Sequence, residues 1–559
     1  MQSWSLQESG LNGRVFTRPM GALELGFFLD GEFHGTADTI QLAEVQTTTP
    51  TEVFSEANVR RSWISLKQQF PLLGSSSHTD DEGKTGYFLV DEARLGSATS
   101  AEIRRREVDS IEAVEAIVQE FINGPRQLSS GIPARLYVLT RTDQADRFHI
   151  LLHATHHITD GLANATALRT LLDYLTSPPV DLVPELEARL AMVVAPESLN
   201  PSLKLSIVHQ RWRQAIAFVI SEIKWRKIKG GNTLPRKVTP ITDHTPARSC
   251  MASTTLSEEA STAIIATCRR NKVTFGNAFP VCAQVAFARV LYRQYARGEI
   301  SAERWEQIRR EPHHVCGPLN VRPFLDPDWF NKGGGEEVCL SIGFFYYTLP
   351  YVPLGESDPA DMEKGQEAPS FASLLSSGRF FLRSNIIKQQ SAALLHHPLF
   401  LDINAVRIPT RKDQKRNILK QWREAQSGKV GPAVASRDVS YLSPAVVFAH
   451  GGSSMGNMDR LLPSRYPLDP QDPLHASRKG TDASAKLQQS QGTAHPTLVL
   501  LSSDLRLRCR PGELYLGAST SNGKLHLKFF WDGNVFEDDA VKEWLDEVRD
   551  AVVWYLGQD

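Results

Sequence analysis

Apolar residues recur along this chain in two rhythms. Residues 148–152 read FHILL, apolar but for His149 and bounded upstream by the polar RTDQADR segment. That predicts a short buried strand. From Leu162 the rhythm becomes helical, with Leu162, Ala165, Leu168, Leu171, Leu172 and Leu175 on one side. Between the two lies a polar turn carrying His153, His156, His157, Asp160 and Gly161. A strand, a polar turn and a helix in succession can hold a reactive side chain rigidly at a sheet edge.

The same reading extends over the first part of the chain. Residues 14–32, with RPMGALELGFFLDG, predict a strand with its approach loop. Val59, Trp63, Leu66 and Phe70 predict a helix over 57–70, stopped by Pro71. A short strand at 87–90, a helix over 111–122 and a strand over 134–140 follow, the last pairing with 147–152. Residues 177–200 read as a linker. Over 204–229, Ile207, Trp212, Ile216, Val219, Ile223 and Trp225 alternate with seven basic residues. The preferred reading is a surface helix that covers part of the core and keeps a solvated basic face. The alternative is a membrane-surface or partner helix.

A Gly/Pro/Thr-rich connector over 230–248 leads to a second α/β unit. Strands are predicted at 250–256, 314–320 and 338–350, the last as one long strand or a pair. Helices are predicted over 257–270, 277–295, 371–387 and 538–555. An apolar strand over 445–449 would end in HGGSSMGNMD. A hairpin joins 513–518 and 525–531 through SNG. Residues 326–336, 353–368 and 467–496 read as polar insertions or loops. The fold class is α/β in two similar halves: residues 1–229, a connector at 230–248, and residues 249–559.

Composition excludes several function classes. The 559 residues are 41% hydrophobic and 22% charged with a formal net charge of −1, so nothing draws the whole chain to nucleic acid or an anionic surface. Six scattered cysteines, no CxxC pair and none before Cys250 argue against a disulfide framework or structural zinc and for a reducing, cytoplasmic setting. No apolar leader and no membrane span are expected.

The turn after residue 152 carries the chemistry. A neutral imidazole can take a proton from a hydroxyl near neutral pH if it is held in one orientation. An acid four positions on can fix the loop, and a glycine after it permits close backbone approach. His156, Asp160 and Gly161 meet that description. Two other readings compete. His153 and His157 are four apart, as in a helical metal pair, but on a strand they would sit about 13 Å apart, and no metal is expected. Gly452–Gly456 fits GxSxG, which would make Ser454 the nucleophile of a strand-to-helix elbow. His149, His153 and His157 otherwise read as structural hydrogen-bonding groups.

HHITDG, from His156 to Gly161, resembles the HxxxDG signature of a large acyltransferase superfamily. It includes plant-type acyl-CoA-dependent transferases, peptide-synthetase condensation domains and fungal stand-alone O-acyltransferases such as trichothecene acetyltransferases. RRSWISLKQQFPLLGS, GPRQLSSGIPARLYVL, GPLNVRPFL and SSMGNMDRLLP resemble further landmarks in the superfamily's order. Thr155 stands where condensation domains usually carry a second histidine, and the plant-type DFGWG motif is absent. The fungal stand-alone enzymes fit these departures best.

The resemblance implies two chloramphenicol-acetyltransferase-like subdomains, mixed sheets flanked by helices, with a channel between them. It implies an O-acyltransferase that moves an acyl group, acetyl first among the candidates, from acyl-CoA to a hydroxyl of a small secondary metabolite. His156 would be the general base, with direct attack and no acyl-enzyme. Asp160 would pair with Arg322, supported by Asn320. The Gly161 N–H and the Ser453 and Ser454 hydroxyls are the oxyanion candidates. Acyl-CoA would be a co-substrate, with no permanently bound cofactor, and the protein is expected to be a monomer. A transferase using a carrier-protein-bound donor, or a non-catalytic small-molecule binder, remains the alternative.

Overall fold

The computed structural model describes residues 3–7, 13–177, 185–353, 368–427, 446–469, 472, 474 and 496–557. The predicted 353–368 insertion and the 467–496 loop lie mostly outside them. In the first half the strands are β1 (Ser5–Gln7), β2 (Val15–Pro19), β3 (Thr39–Gln46), β4 (Ser76–Thr79), β5 (Gly86–Asp91), β6 (Ile103–Val108), β7 (Ala134–Arg141) and β8 (Arg147–Ala154). In the second they are β9 (Ser249–Thr255), β10 (His313–Asn320), β11 (Ile342–Leu349), β12 (His450–Asn457), β13 (Arg465–Tyr466), β14 (Leu498–Leu507), β15 (Leu514–Ser521) and β16 (Lys524–Asp532).

They form two mixed six-stranded sheets, β13-β14-β3-β8-β7-β6 and β11-β10-β12-β15-β16-β9, and a small antiparallel sheet β1-β2-β5-β4. The predicted pairing of β7 with β8 is present, antiparallel, with Ala134 opposite Ala154 and Thr140 opposite Phe148. The β15–β16 hairpin turns through Asn522 and Gly523, both with positive φ, which suits the right-handed twist of the flanking strands. The sheets do not follow the division of the chain at 230–248. β14, from beyond residue 249, pairs antiparallel with β3 and completes the first sheet. The first core accordingly includes Val321, Trp329, Phe400, Leu498 and Leu500 beside Trp63, Ile150 and Leu168.

Several expectations change. Residues 14–32 hold strand β2 and then helix Ala22–Glu32, not a strand with a loop. Nearly every residue of that helix is buried, so it has no polar face to give a helical rhythm. Residues 186–192, expected in a linker, form a helix anchored by Arg189 Nη2 on Glu337, 2.6 Å away. Val338–Pro350 contributes one strand, β11. The long helix Ile408–Gln426 had no counterpart in the prediction; it carries a single fully buried residue, Leu419. The basic helix spans Ile207–Lys227. It does not use its apolar stripe to cover the core: only Ala217, Ser221 and Trp225 are buried.

Candidate active site

The turn that follows β8 is set by its own backbone. The Thr155 N–H donates to the Pro133 carbonyl at 2.9 Å and the Ile158 N–H to the Thr155 carbonyl at 3.3 Å. Helix Gly161–Thr176 then starts with Asp160 as its cap: Oδ1 accepts from the Ala163 N–H at 2.9 Å. This satisfies one of the orphan donors of the first turn. Oδ2 accepts from the Ser341 N–H at 2.8 Å and from Arg322 Nη1 at 2.9 Å. Both side chains of that ion pair are sealed from solvent, at 2% and 0% exposure. Burial disfavours the charged guanidinium, but the Asp160 carboxylate outweighs it and holds the Arg322 pKa above its ordinary value.

Two further donors of Arg322 are directed as well, its Nη2 and its backbone N–H. Nη2 donates to the Cys339 carbonyl at 2.6 Å, and Asn320 Oδ1 accepts from the Arg322 N–H at 3.0 Å. The structure therefore brings Asp160, Arg322 and Asn320 together, across about 160 residues of sequence, where the helix of the first half meets the end of β10.

His156 lies within this turn and keeps part of its surface accessible. Its ring stacks on Phe27 with centroids 4.3 Å apart and planes 25° from parallel. Above the same phenyl ring stand Lys415 Nζ at 4.3 Å and the Arg510 guanidinium at 5.2 Å from its centroid. Asp30 pairs with both cations, with Arg510 Nη2 at 2.9 Å. Burial pushes the His156 pKa down to about 4, and the Arg510 and Lys415 charges push the same way against its own carbonyl and Asp160. The resting imidazole is neutral. Burial likewise lowers Lys415 to about 8. Phe27, Asp30, Lys415 and Arg510 were not among the predicted site residues. The buried acid in GFFLDG was the one available signal, since buried aspartates are rare without a partner.

The neighbouring histidines point into separate packing environments. His157 Nε2 shares a hydrogen bond with Ser77 Oγ at 3.0 Å and its ring lies parallel to Phe88. His153 stacks on Phe121. Burial lowers both to about 3.

The serine segment differs from the prediction. The predicted strand at 445–449 is displaced: HGGSSMGN is itself strand β12, parallel to β10 and β15. Its glycines serve close strand approach rather than a turn. A side chain on Gly452 would begin 2.4 Å from the Leu516 carbonyl oxygen. Gly456, at φ 69°, accompanies a register break between Ser454 and Asn457, as expected of a bulge. With Ser454 inside a strand that is followed only by a single 3₁₀ turn, Met458–Arg460, the nucleophile elbow does not form. Ser453 Oγ shares a 2.6 Å hydrogen bond with the Tyr515 hydroxyl. Ser454 is exposed and lies over the first turn of helix Phe275–Ala296, near Gly276. The next residue, Met455, reaches the motif: a side chain on Gly161 would begin 3.0 Å from its Cε.

No protein-family model matches the chain, and no curated protein sequence does. Solved structures do. The trichothecene 15-O-acetyltransferase from Fusarium sporotrichioides superposes with a TM-score of 0.67 at 12% identity, over 99% of this chain and 98% of that one. The condensation domain of the monacolin K polyketide synthase gives 0.54 at 9% identity over 99% and 98%. The first condensation domain of the calcium-dependent antibiotic synthetase gives 0.55 at 13% over 96% of each. The chain has the condensation-domain and acyltransferase fold, two mixed sheets flanked by helices.

Proposed function

We propose that this protein is an acyl-CoA-dependent O-acyltransferase that transfers an acyl group, acetyl foremost, to a hydroxyl of a small metabolite. One observation carries the reading: a neutral imidazole, His156, stacked on Phe27 in a turn locked by the buried Asp160–Arg322 pair. Its Nδ1 is buried, so Nε2 is the nitrogen that meets the acceptor. Nε2 takes the proton as the hydroxyl oxygen attacks the thioester carbonyl. The tetrahedral intermediate then expels the thiolate, which recovers that proton. The Gly161 N–H, at the positive end of its helix, and the serines of β12 are the candidate donors to the oxyanion. Ser453 Oγ can serve while it accepts from the Tyr515 hydroxyl, which leaves its own O–H to donate. Asp160 and Arg322 position the turn without touching substrate. Donor and acceptor would reach the base from opposite ends of a channel between the two sheets.

A second reading, a donor carried on a phosphopantetheinyl carrier protein, is favoured by the likeness to condensation domains over 96% or more of the chain. Both readings meet one experiment. The protein is incubated with acetyl-, malonyl- and longer acyl-CoAs and a panel of hydroxylated metabolites while free thiol is followed. Thiol release that disappears in a folded His156→Ala variant supports the proposal, and retained turnover refutes the base. Turnover only with a carrier-bound donor selects the second reading. Acceptor binding with no thioester consumed by either donor marks a non-catalytic binder.

A further inference from the structure

The helix Ile207–Lys227 is explained by neither the fold nor the proposed chemistry. Of the large hydrophobic side chains that the protein leaves exposed, Leu203, Leu205, Ile207, Val208, Trp212, Ile216, Phe218, Val219 and Ile223 all fall in one segment of the chain. Trp212 is 64% exposed, Val208 60% and Val219 53%. Val208, Trp212, Ile216, Val219 and Ile223 follow one another at spacings of four, four, three and four, so they form a single stripe. The stripe faces away from the protein. The opposite face is docked, with Ala217 packed beside Leu399 and Ile403. Two ion pairs fix it there, Arg213 to Asp402 at 2.7 Å and Arg407 to Glu222 at 2.5 Å. An apolar stripe left exposed while the opposite face is fixed to the protein is built to meet something.

Charge decides what. Between residues 204 and 229 stand Lys204, Arg211, Arg213, Lys224, Arg226, Lys227 and Lys229 against one acid, Glu222. That acid is neutralised by Arg407, and Lys204 and Arg213 have partners of their own. Arg211, Arg226, Lys227 and Lys229 are exposed and make no ion pair among the described residues. Arg226 continues the line of Val219 at the C-terminal end of the stripe, and Arg211 and Lys227 flank it. Within a chain of net charge −1 this is a local cationic border around an apolar, tryptophan-bearing ridge. The ridge is convex, one helix wide, and the described helices include none able to span a bilayer. We propose that this helix docks the protein on an anionic lipid surface, lying in the plane of the interface. The stripe would enter the headgroup–acyl boundary and the cations would meet lipid phosphates and carboxylates.

The test is co-sedimentation of the full chain with phosphatidylcholine vesicles, with and without phosphatidylserine, at low and high salt. Binding is expected to the mixed vesicles only, and to weaken as salt rises. Trp212→Glu with Val219→Glu should abolish it. Arg226→Gln and Lys227→Gln should each weaken partitioning about fivefold. Protection of backbone amides of residues 207–227 on adding vesicles to the wild type supplies a readout free of any variant. The proposal is overturned if mixed vesicles leave the protein in the supernatant at low salt, or if the double glutamate variant still sediments. It is overturned equally if the wild type is a dimer that the same variant converts to monomer and vesicles protect nothing.

Discussion

Replacing Asp160 by Asn tests whether the turn holding His156 is locked by charge or only by hydrogen bonding. The amide keeps the size of the carboxylate and can still accept from the Ala163 N–H. What it removes is the negative charge 2.9 Å from a guanidinium with no exposed surface. Leaving one partner of a buried pair uncompensated costs about 3–5 kcal/mol. Arg322→Met strands the opposite charge, but Asp160 keeps the N–H donors of Ala163 and Ser341. Its cost should fall near the low end, about 3 kcal/mol. Independent sites would give a double variant destabilised by about 6–8 kcal/mol. Because the double variant buries neither charge alone, it should lose far less than that sum. Urea unfolding followed by tryptophan fluorescence and far-ultraviolet circular dichroism, with coincident transitions, measures all four proteins. Additivity within about 0.5 kcal/mol, or an Asp160→Asn cost below about 1 kcal/mol, would refute the charge lock.

Two predictions concern pH. Arg510→Met removes a cation that depresses His156, so the acid limb of activity should move up from about 4 toward 6.5. A limb that stays put would separate Arg510 from the proposed base. His153 and His157 are neutral when folded, with pKa values lowered to about 3 by burial. Above pH 6.5 they contribute nothing to the pH dependence. Below it the unfolded chain binds protons that the folded chain refuses, so stability falls between pH 6.5 and 3. The steepest part should approach ~3 kcal/mol per pH unit for the two protons. Urea midpoints against pH measure it; His157→Gln should halve that share, and a flat profile would contradict the burial argument.

Elements with one buried face were legible in the sequence. Helix Glu56–Gln69 and the β7–β8 pair show the rhythm their packing demands. The motif was legible too, since its polar residues interrupt an apolar run. What escaped were segments whose surroundings erase the rhythm. Helix Ala22–Glu32, buried on nearly all sides, reads as an irregular apolar stretch. It carries Phe27 and Asp30, so half the environment of His156 went unseen. Helix Ile408–Gln426, with Lys415, escaped for the opposite reason, because it is polar along most of its length. From its apolar rhythm the strand was expected to stop at residue 449, before HGGSSMG, because glycine pairs mark turns more often than the close approach of three strands. In each case the missing information was the identity of the neighbour across the interface.

The pairing of β14 with β3 carries a consequence for biosynthesis. Residues 39–46 leave the ribosome early, yet the strand that covers their edge ends at Leu507. Until then the half-made first sheet presents an open, half-apolar rim, TIQLAEVQ, on which a neighbouring nascent chain could nucleate a growing β-assembly. A gene cut at the 230–248 connector would make that vulnerability permanent. Expressing the first half alone should therefore yield aggregates, and supplying a peptide spanning 496–509 during refolding should recover soluble material. The doubled architecture is in this sense one folding unit, closed by a strand that arrives late.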